Sequence, residues 1–210
     1  IAEGNVNWDF ELFRILPAVL RSRNRKERDR SFSNWINKLG SVPVCDTCTT
    51  DLQGEYKLKP DLSWMGDPSL DPALKKQLEF IHKNRNQKSH YYIAFAPGVG
   101  NPVFKHEDPY RGFVYPDIGF RLLALFRYWN MIQYFFPYKY AIQEDWNGVL
   151  DQFIPRFFNA RDSLAYRLTA LELIGRIHDT HANIWGVDST LIRYKGIYRA
   201  PVQVRFIEGK

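Results

Sequence analysis

Four consecutive residues, His178, Asp179, Thr180 and His181, place two imidazoles, a carboxylate and a hydroxyl within the run Arg176-Ile177-His178-Asp179-Thr180-His181-Ala182-Asn183-Ile184-Trp185-Gly186. These residue types carry proton transfer near neutral pH and metal ligation. Upstream, Leu164, Leu168, Leu171 and Ile174 recur at three- and four-residue steps, which predicts a helix. Carried forward, its apolar face presents His178 and then His181 on one side. A plainer role for His178 stays open. A histidine closing an apolar helix can bond the last carbonyls and complement the negative end of the helix dipole.

The elements that must position this run are mostly helical. Asn7 is the expected cap of a helix beginning at Trp8, with Leu12, Ile15, Leu16, Val19 and Leu20 at helical spacing. Pro17 is expected to kink or end it. Phe32, Trp35, Ile36 and Leu39 give a second amphipathic helix closed by Gly40. Trp8 and Trp146 are each followed nine residues later by a proline, Pro17 and Pro155, and the apolar positions between them keep register. Two related helical units are read from this, the second with an additional helix from Phe120 to Phe136 ended by Pro137. In that helix Leu122, Leu125, Phe126, Trp129, Ile132 and Phe136 share a face, with Arg127, Asn130 and Gln133 off it.

Between the units, Asp71 as cap and Pro72 as first residue open a helix through Leu74, Leu78 and Ile81, and His90 to Ala96 reads as a strand. From Pro97 to Gly119, recurrent proline and glycine argue against regular structure over most of the span. It is expected to be a wrapping arm anchored by Phe104, Tyr110, Phe113 and Tyr115. The expected fold class is mainly α: a helical bundle of two related units with a small strand-containing insertion. The boundaries are 1–40 for the first unit, 41–118 for the insertion, 119–197 for the second unit and 198–210 for the first strand of a following domain. That last strand is read from the alternation in Pro201-Val202-Gln203-Val204-Arg205-Phe206-Ile207. The lack of an opening methionine and the unpaired last strand give the expectation of a fragment.

With 16% aromatic and 25% charged residues the composition is globular. The net charge of +6 suits an acidic partner, but the cluster Arg21, Arg23, Arg25, Lys26, Arg28 and Arg30 is interleaved with Glu27 and Asp29. It reads as a solvated face, and no nucleic-acid partner is expected. No apolar run reaches the ~20 residues needed to span a membrane. G-x-S-x-G and P-loop motifs are absent, Gly98-Val99-Gly100 lacks the third glycine of a dinucleotide loop, and no serine shows a nucleophile context.

The words Arg121-Leu122-Leu123-Ala124-Leu125-Phe126-Arg127-Tyr128-Trp129-Asn130 and Leu173-Ile174-Gly175-Arg176-Ile177-His178-Asp179-Thr180-His181-Ala182 resemble the helical domain that precedes the PDZ and catalytic domains of tail-specific, tricorn-like serine peptidases. The resemblance is good over roughly residues 117–207. It implies a cell-envelope or periplasmic location, peptide or unfolded protein as substrate, and PDZ and catalytic domains following in the same chain. It also implies that His181 is the general base for a serine supplied by the later domain. Thr180 stands where a serine is usual, and His178 and Asp179 orient the loop. Members that use a Ser-Lys dyad share the motif without needing this histidine. With at most the base present, the segment alone is expected to be inactive and to need no cofactor.

The cysteines form one pair, Cys45-Asp46-Thr47-Cys48. The implied envelope location favours a local disulfide, and a thioredoxin-like pair lacks the βαβ context it requires. A third reading joins Cys45 and Cys48 with His178 and His181 as a structural Cys2His2 zinc site, because each pair follows its helical unit at nearly the same place. Zinc ligation would prevent His181 from acting as a base. Outside the peptidase reading, the chain would be a non-catalytic envelope module binding peptide or glycan through the aromatic stretch Tyr91 to Tyr115.

Overall fold

The computed structural model describes residues 6–48, 60–86, 90–198 and 201–202. It is mainly α, with seven helices and one two-stranded antiparallel sheet among the described residues. In order these are α1 (Trp8–Leu20), α2 (Arg25–Lys38), α3 (Pro72–Asn84), β1 (Ile93–Phe95), β2 (Pro102–Phe104), α4 (Ile118–Phe135), α5 (Trp146–Phe158), α6 (Ser163–Gly175) and α7 (Ser189–Lys195). The strand expected over 201–207 lies largely outside the described residues.

Helix starts follow side-chain capping. Asn7, Asn24, Asp71, Asp117, Asp145, Asp162 and Asp188 each accept backbone N–H bonds from the first turn they precede, satisfying donors a helix cannot pair internally. Of the two outcomes expected at Pro17, a kink or an end, the second is corrected. Pro17 lies within α1, which continues to Leu20, because a proline in the last turn removes only one rung. Pro155 sits equivalently in α5. The pairs α1–α2 and α5–α6 are therefore helical hairpins of similar length, each opened by a tryptophan and carrying one internal proline.

The core lies where α4, α5 and the end of α6 meet. Leu125 and Phe153 are wholly buried, with Leu122, Ile132, Ile142, Trp146, Val149, Phe157, Leu173 and Ile177 around them. Two indoles pin α4 to α5 reciprocally: Trp129 Nε1 donates to the Trp146 carbonyl at 2.7 Å, and Trp146 Nε1 to the Trp129 carbonyl at 3.1 Å. Arg121 is buried, and its fork donates to the carbonyls of Phe157, Pro116 and Phe158 at 2.9, 2.8 and 3.0 Å. A cation is thereby fixed at the negative end of α5. Gln133, expected off the packed face, is also buried, and its Oε1 accepts from Lys139 Nζ at 3.0 Å.

Polar bonds join the remaining elements. The Asp71 amide donates to the buried Asp29 carboxylate at 2.7 Å, tying the cap of α3 to α2. Trp35 Nε1 donates to Glu11 at 2.9 Å, tying α2 to α1. Arg127, also expected off the packed face, bonds Asp9 of α1 at 2.7 Å and the Asp108 carbonyl of the arm at 2.9 Å. The arm is anchored as expected. Tyr110 and Phe113 pack on Phe120, Phe104 meets Phe135 edge-on, and the Tyr115 hydroxyl bonds the Ala160 carbonyl. The arm also contains β2, three residues in a span expected to lack regular structure over most of its length. Gly98 and Gly100, both at positive φ, turn the chain back after β1, and Pro102 fits as the first strand residue.

Candidate functional site

The four-residue run sits at the C-terminal end of α6, but the helix presents a different face from the one its spacing suggests. Leu173 and Ile177 are buried, with Tyr166 and Ala170 packed against the same core, while Leu164, Leu168, Leu171 and Ile174 are only half-buried. The helix is apolar on nearly every side, so three- and four-residue steps fit more than one face. Arg176 holds the end of the helix against α5, donating to Glu144 at 2.7 Å and to Gln152 at 2.6 Å. Ile177 is the last inward anchor. His178 then takes a left-handed conformation, φ 54°, and its amide donates to the Gly175 carbonyl at 3.2 Å. His178 thus terminates the helix through its backbone, with its side chain exposed.

That reversal lifts the next residues into a tight turn held by Asp179. Asp179 Oδ1 accepts the His181 amide at 2.8 Å and lies 3.0 Å from His181 Nδ1, while Ala182 folds back onto the core. The carboxyl of Asp179 is held below its ordinary value, first by the His181 amide and then by the His181 ring. In the neutral imidazole, Nδ1–H donates to the carboxylate and Nε2 carries the free lone pair. The His181 side chain is 93% exposed. Thr180 is exposed too, and its hydroxyl bonds no other described residue. Beneath the turn, the Tyr128 hydroxyl approaches the Ile174 carbonyl at 3.5 Å, and its pKa is pushed up to about 12 by burial and then by the charge of Asp179. Tyr128 had no assigned role in the sequence; its only signal is its place in the Arg121–Asn130 word.

The zinc alternative is corrected. Cys45 and Cys48 form a disulfide with Cα atoms 5.4 Å apart, and sulfurs bonded to each other offer no thiolate to a metal. The bridge rests on the end of α3, where the Cys45 amide donates to Asn84 at 2.9 Å and Cys48 Sγ lies 3.7 Å from the Arg85 carbonyl oxygen. His178 and His181 stand at the end of another helix. Among the described residues no three His, Cys, Asp or Glu side chains gather as a metal site. Likewise no described helix is long and apolar enough to cross a membrane.

A separate cavity of about 1520 Å³ lies between α1, the hairpin and α4. Trp8, Leu12, Phe104, Phe126, Met131 and Phe135 give it apolar walls, and Asp9, Glu107, Arg85 and Arg127 also line it. Its size exceeds the roughly 300–1,000 Å³ typical of small-molecule pockets. No protein-family model, curated protein or solved structure matches this chain.

Proposed function

We propose that this chain is the helical domain of a tail-specific, tricorn-like serine peptidase, that it walls the active-site cleft, and that His181 is the general base for a serine on a following catalytic domain. The supporting observation is the Asp179–His181 pair: a carboxylate holds Nδ1 and leaves Nε2 free to accept a proton. A base so exposed needs a partner surface to exclude water. Trp185 and Val187, at 80% and 89% exposure, supply uncovered apolar area next to it in the chain. The substrate would be peptide or unfolded protein, and the Cys45–Cys48 disulfide supports an oxidising, cell-envelope location.

The test is hydrolysis of a denatured protein by the product of the complete reading frame, with and without His181→Ala. General-base removal is expected to lower kcat/KM by about 10²–10⁴-fold with folding unchanged. Undiminished hydrolysis, or a reading frame without a serine-bearing domain, sinks the proposal. A second reading, a non-catalytic module that binds peptide or glycan, draws support from the large cavity against the Tyr91 to Tyr115 stretch.

A further inference from the structure

The hairpin beside the cavity has two unlike edges. Its register pairs Ile93 with Phe104, Ala94 with Val103 and Phe95 with Pro102. Flanking bonds run from the Ala96 amide to the Asn101 carbonyl and from the Lys105 amide to the Tyr92 carbonyl, both 2.8 Å. Antiparallel pairs alternate between bonded and non-bonded. Ala94 and Val103 therefore bond each other, whereas Ile93 and Phe95 turn their N–H and C=O groups outward from β1. Phe104 and Pro102 do the same from β2. Pro102 has no N–H, so the β2 edge is blunted, a common protection against strand addition. The β1 edge has no such protection: it contains neither proline nor lysine, and its outward groups bond no other described residue.

Side chains opposite each other in a sheet share a face. Ile93, Phe95, Pro102 and Phe104 accordingly project together, and all four line the cavity. A strand added antiparallel to β1 would bond Ile93 and Phe95 through its own alternate residues and turn those same side chains toward the cavity. Charge decides what they must be. The cavity's two carboxylates, Asp9 and Glu107, are matched by two guanidiniums, Arg85 and Arg127, and Arg127 bonds Asp9 at 2.7 Å. Such a balanced lining favours neutral apolar side chains over charged ones.

We propose that the β1 edge and the adjoining cavity bind an extended polypeptide as a third, antiparallel strand, its alternate apolar side chains entering the cavity. This deepens, and rests on, the reading of the cavity as a peptide-binding surface, and it is independent of His181. Backbone groups give such a complex its affinity, and the alternating pockets give it selectivity.

The probe is the fluorophore-labelled pentapeptide acetyl-Thr-Val-Thr-Val-Thr-amide, followed by fluorescence anisotropy on the unmodified chain. Two further peptides carry N-methyl groups, one on both valines and one on the outer and central threonines. In the antiparallel orientation, where directly opposite residues exchange their bonds, only one phase places valines over the cavity, and in that phase the valine amides bond the carbonyls of Ile93 and Phe95. Valine methylation is expected to weaken binding at least about tenfold, because two backbone bonds are lost. Threonine methylation should change it less than about threefold. Hydrogen exchange should slow at the Ile93 and Phe95 amides when the parent peptide binds. Equal tolerance of both methylations would overturn strand addition while leaving the cavity as a peptide site. Absence of binding by the parent peptide would overturn both. Protection of Ile93 and Phe95 that rises with protein concentration alone would assign the edge to a second copy of the chain and overturn the inference.

Discussion

At the scale of single residues, the His178–His181 run separates into distinct physical jobs. His178 serves the backbone, Ile177 serves the core, and Asp179 and His181 form a polar pair on the surface of a turn. The pair depends on Asp179 alone, since one oxygen receives both the His181 amide and its ring nitrogen. Asp179→Ala should therefore release the ring from a single tautomer. In a long-range proton–nitrogen NMR spectrum at alkaline pH, the native chain is expected to show one neutral form with the proton on Nδ1, and the variant a mixture. A mixture already present in the native chain would remove the oriented lone pair on which the general-base proposal depends. The residue types were legible in the sequence, since only this run combines so many proton-transferring groups. The division of labour was not, because it follows from a left-handed φ at His178 that no residue type dictates.

At the scale of elements, the caps and anchors carry most of what could be read in advance. Asn7, Asp71 with Pro72, and Gly40 mark helix ends through local chemistry, and local chemistry is visible in a sequence. The face of α6 was not legible, because leucine and alanine on nearly every side leave the choice to whatever packs against it. Nor was β2, whose three residues begin with a proline and acquire meaning only opposite β1. Long-range polar ties were equally hidden, and Asp29 is the clearest case. Burial pushes its carboxyl upward, but bonds from Arg28 and the Asp71 amide, with the charges of Arg28 and Arg25, hold it below its ordinary value. The unfolded chain then takes up the proton before the folded one does. The stabilisation is complete above the unfolded value near 3.8 and disappears as pH falls through the lower folded value. Denaturant midpoints measured from pH 6 down to pH 2 should fall more steeply for the native chain than for Asp29→Asn. At neutral pH the variant should be less stable by about 1–3 kcal/mol, the usual cost of a charged hydrogen-bonded partner. Parallel pH curves would mean that the junction of α2 and α3 does not rest on this charge.

At the scale of the whole molecule, α4 is the shared beam. It meets α5 across the main core, and it meets α1 where Phe13 packs on Phe120 and the bare Cα of Gly119 admits the Phe13 ring. The chain after α6 is anchored differently. Arg167 pairs with Asp188 and Leu191 is buried, yet Trp185, Val187, Ile197 and Tyr198 remain largely in solvent. Isolated apolar residues on a surface need no explanation, but Trp185 and Val187 follow His181 by four and six residues in the chain, and the proposed function gives them a partner to meet. If these side chains stabilise nothing within the described fold, Trp185→Ser with Val187→Ser should leave the unfolding free energy within about 0.5 kcal/mol of the native value. Binding of an apolar fluorescent dye should fall, because the area it recognises has been removed. If the proposed function holds, the same pair in the product of the complete reading frame should lower hydrolysis through loss of domain docking. That loss should be relieved when the two parts are tethered more closely, unlike the loss caused by His181→Ala. A large fall in stability of the chain alone would show instead that the stretch already belongs to this fold's own packing, and would leave the turn without a water-excluding partner.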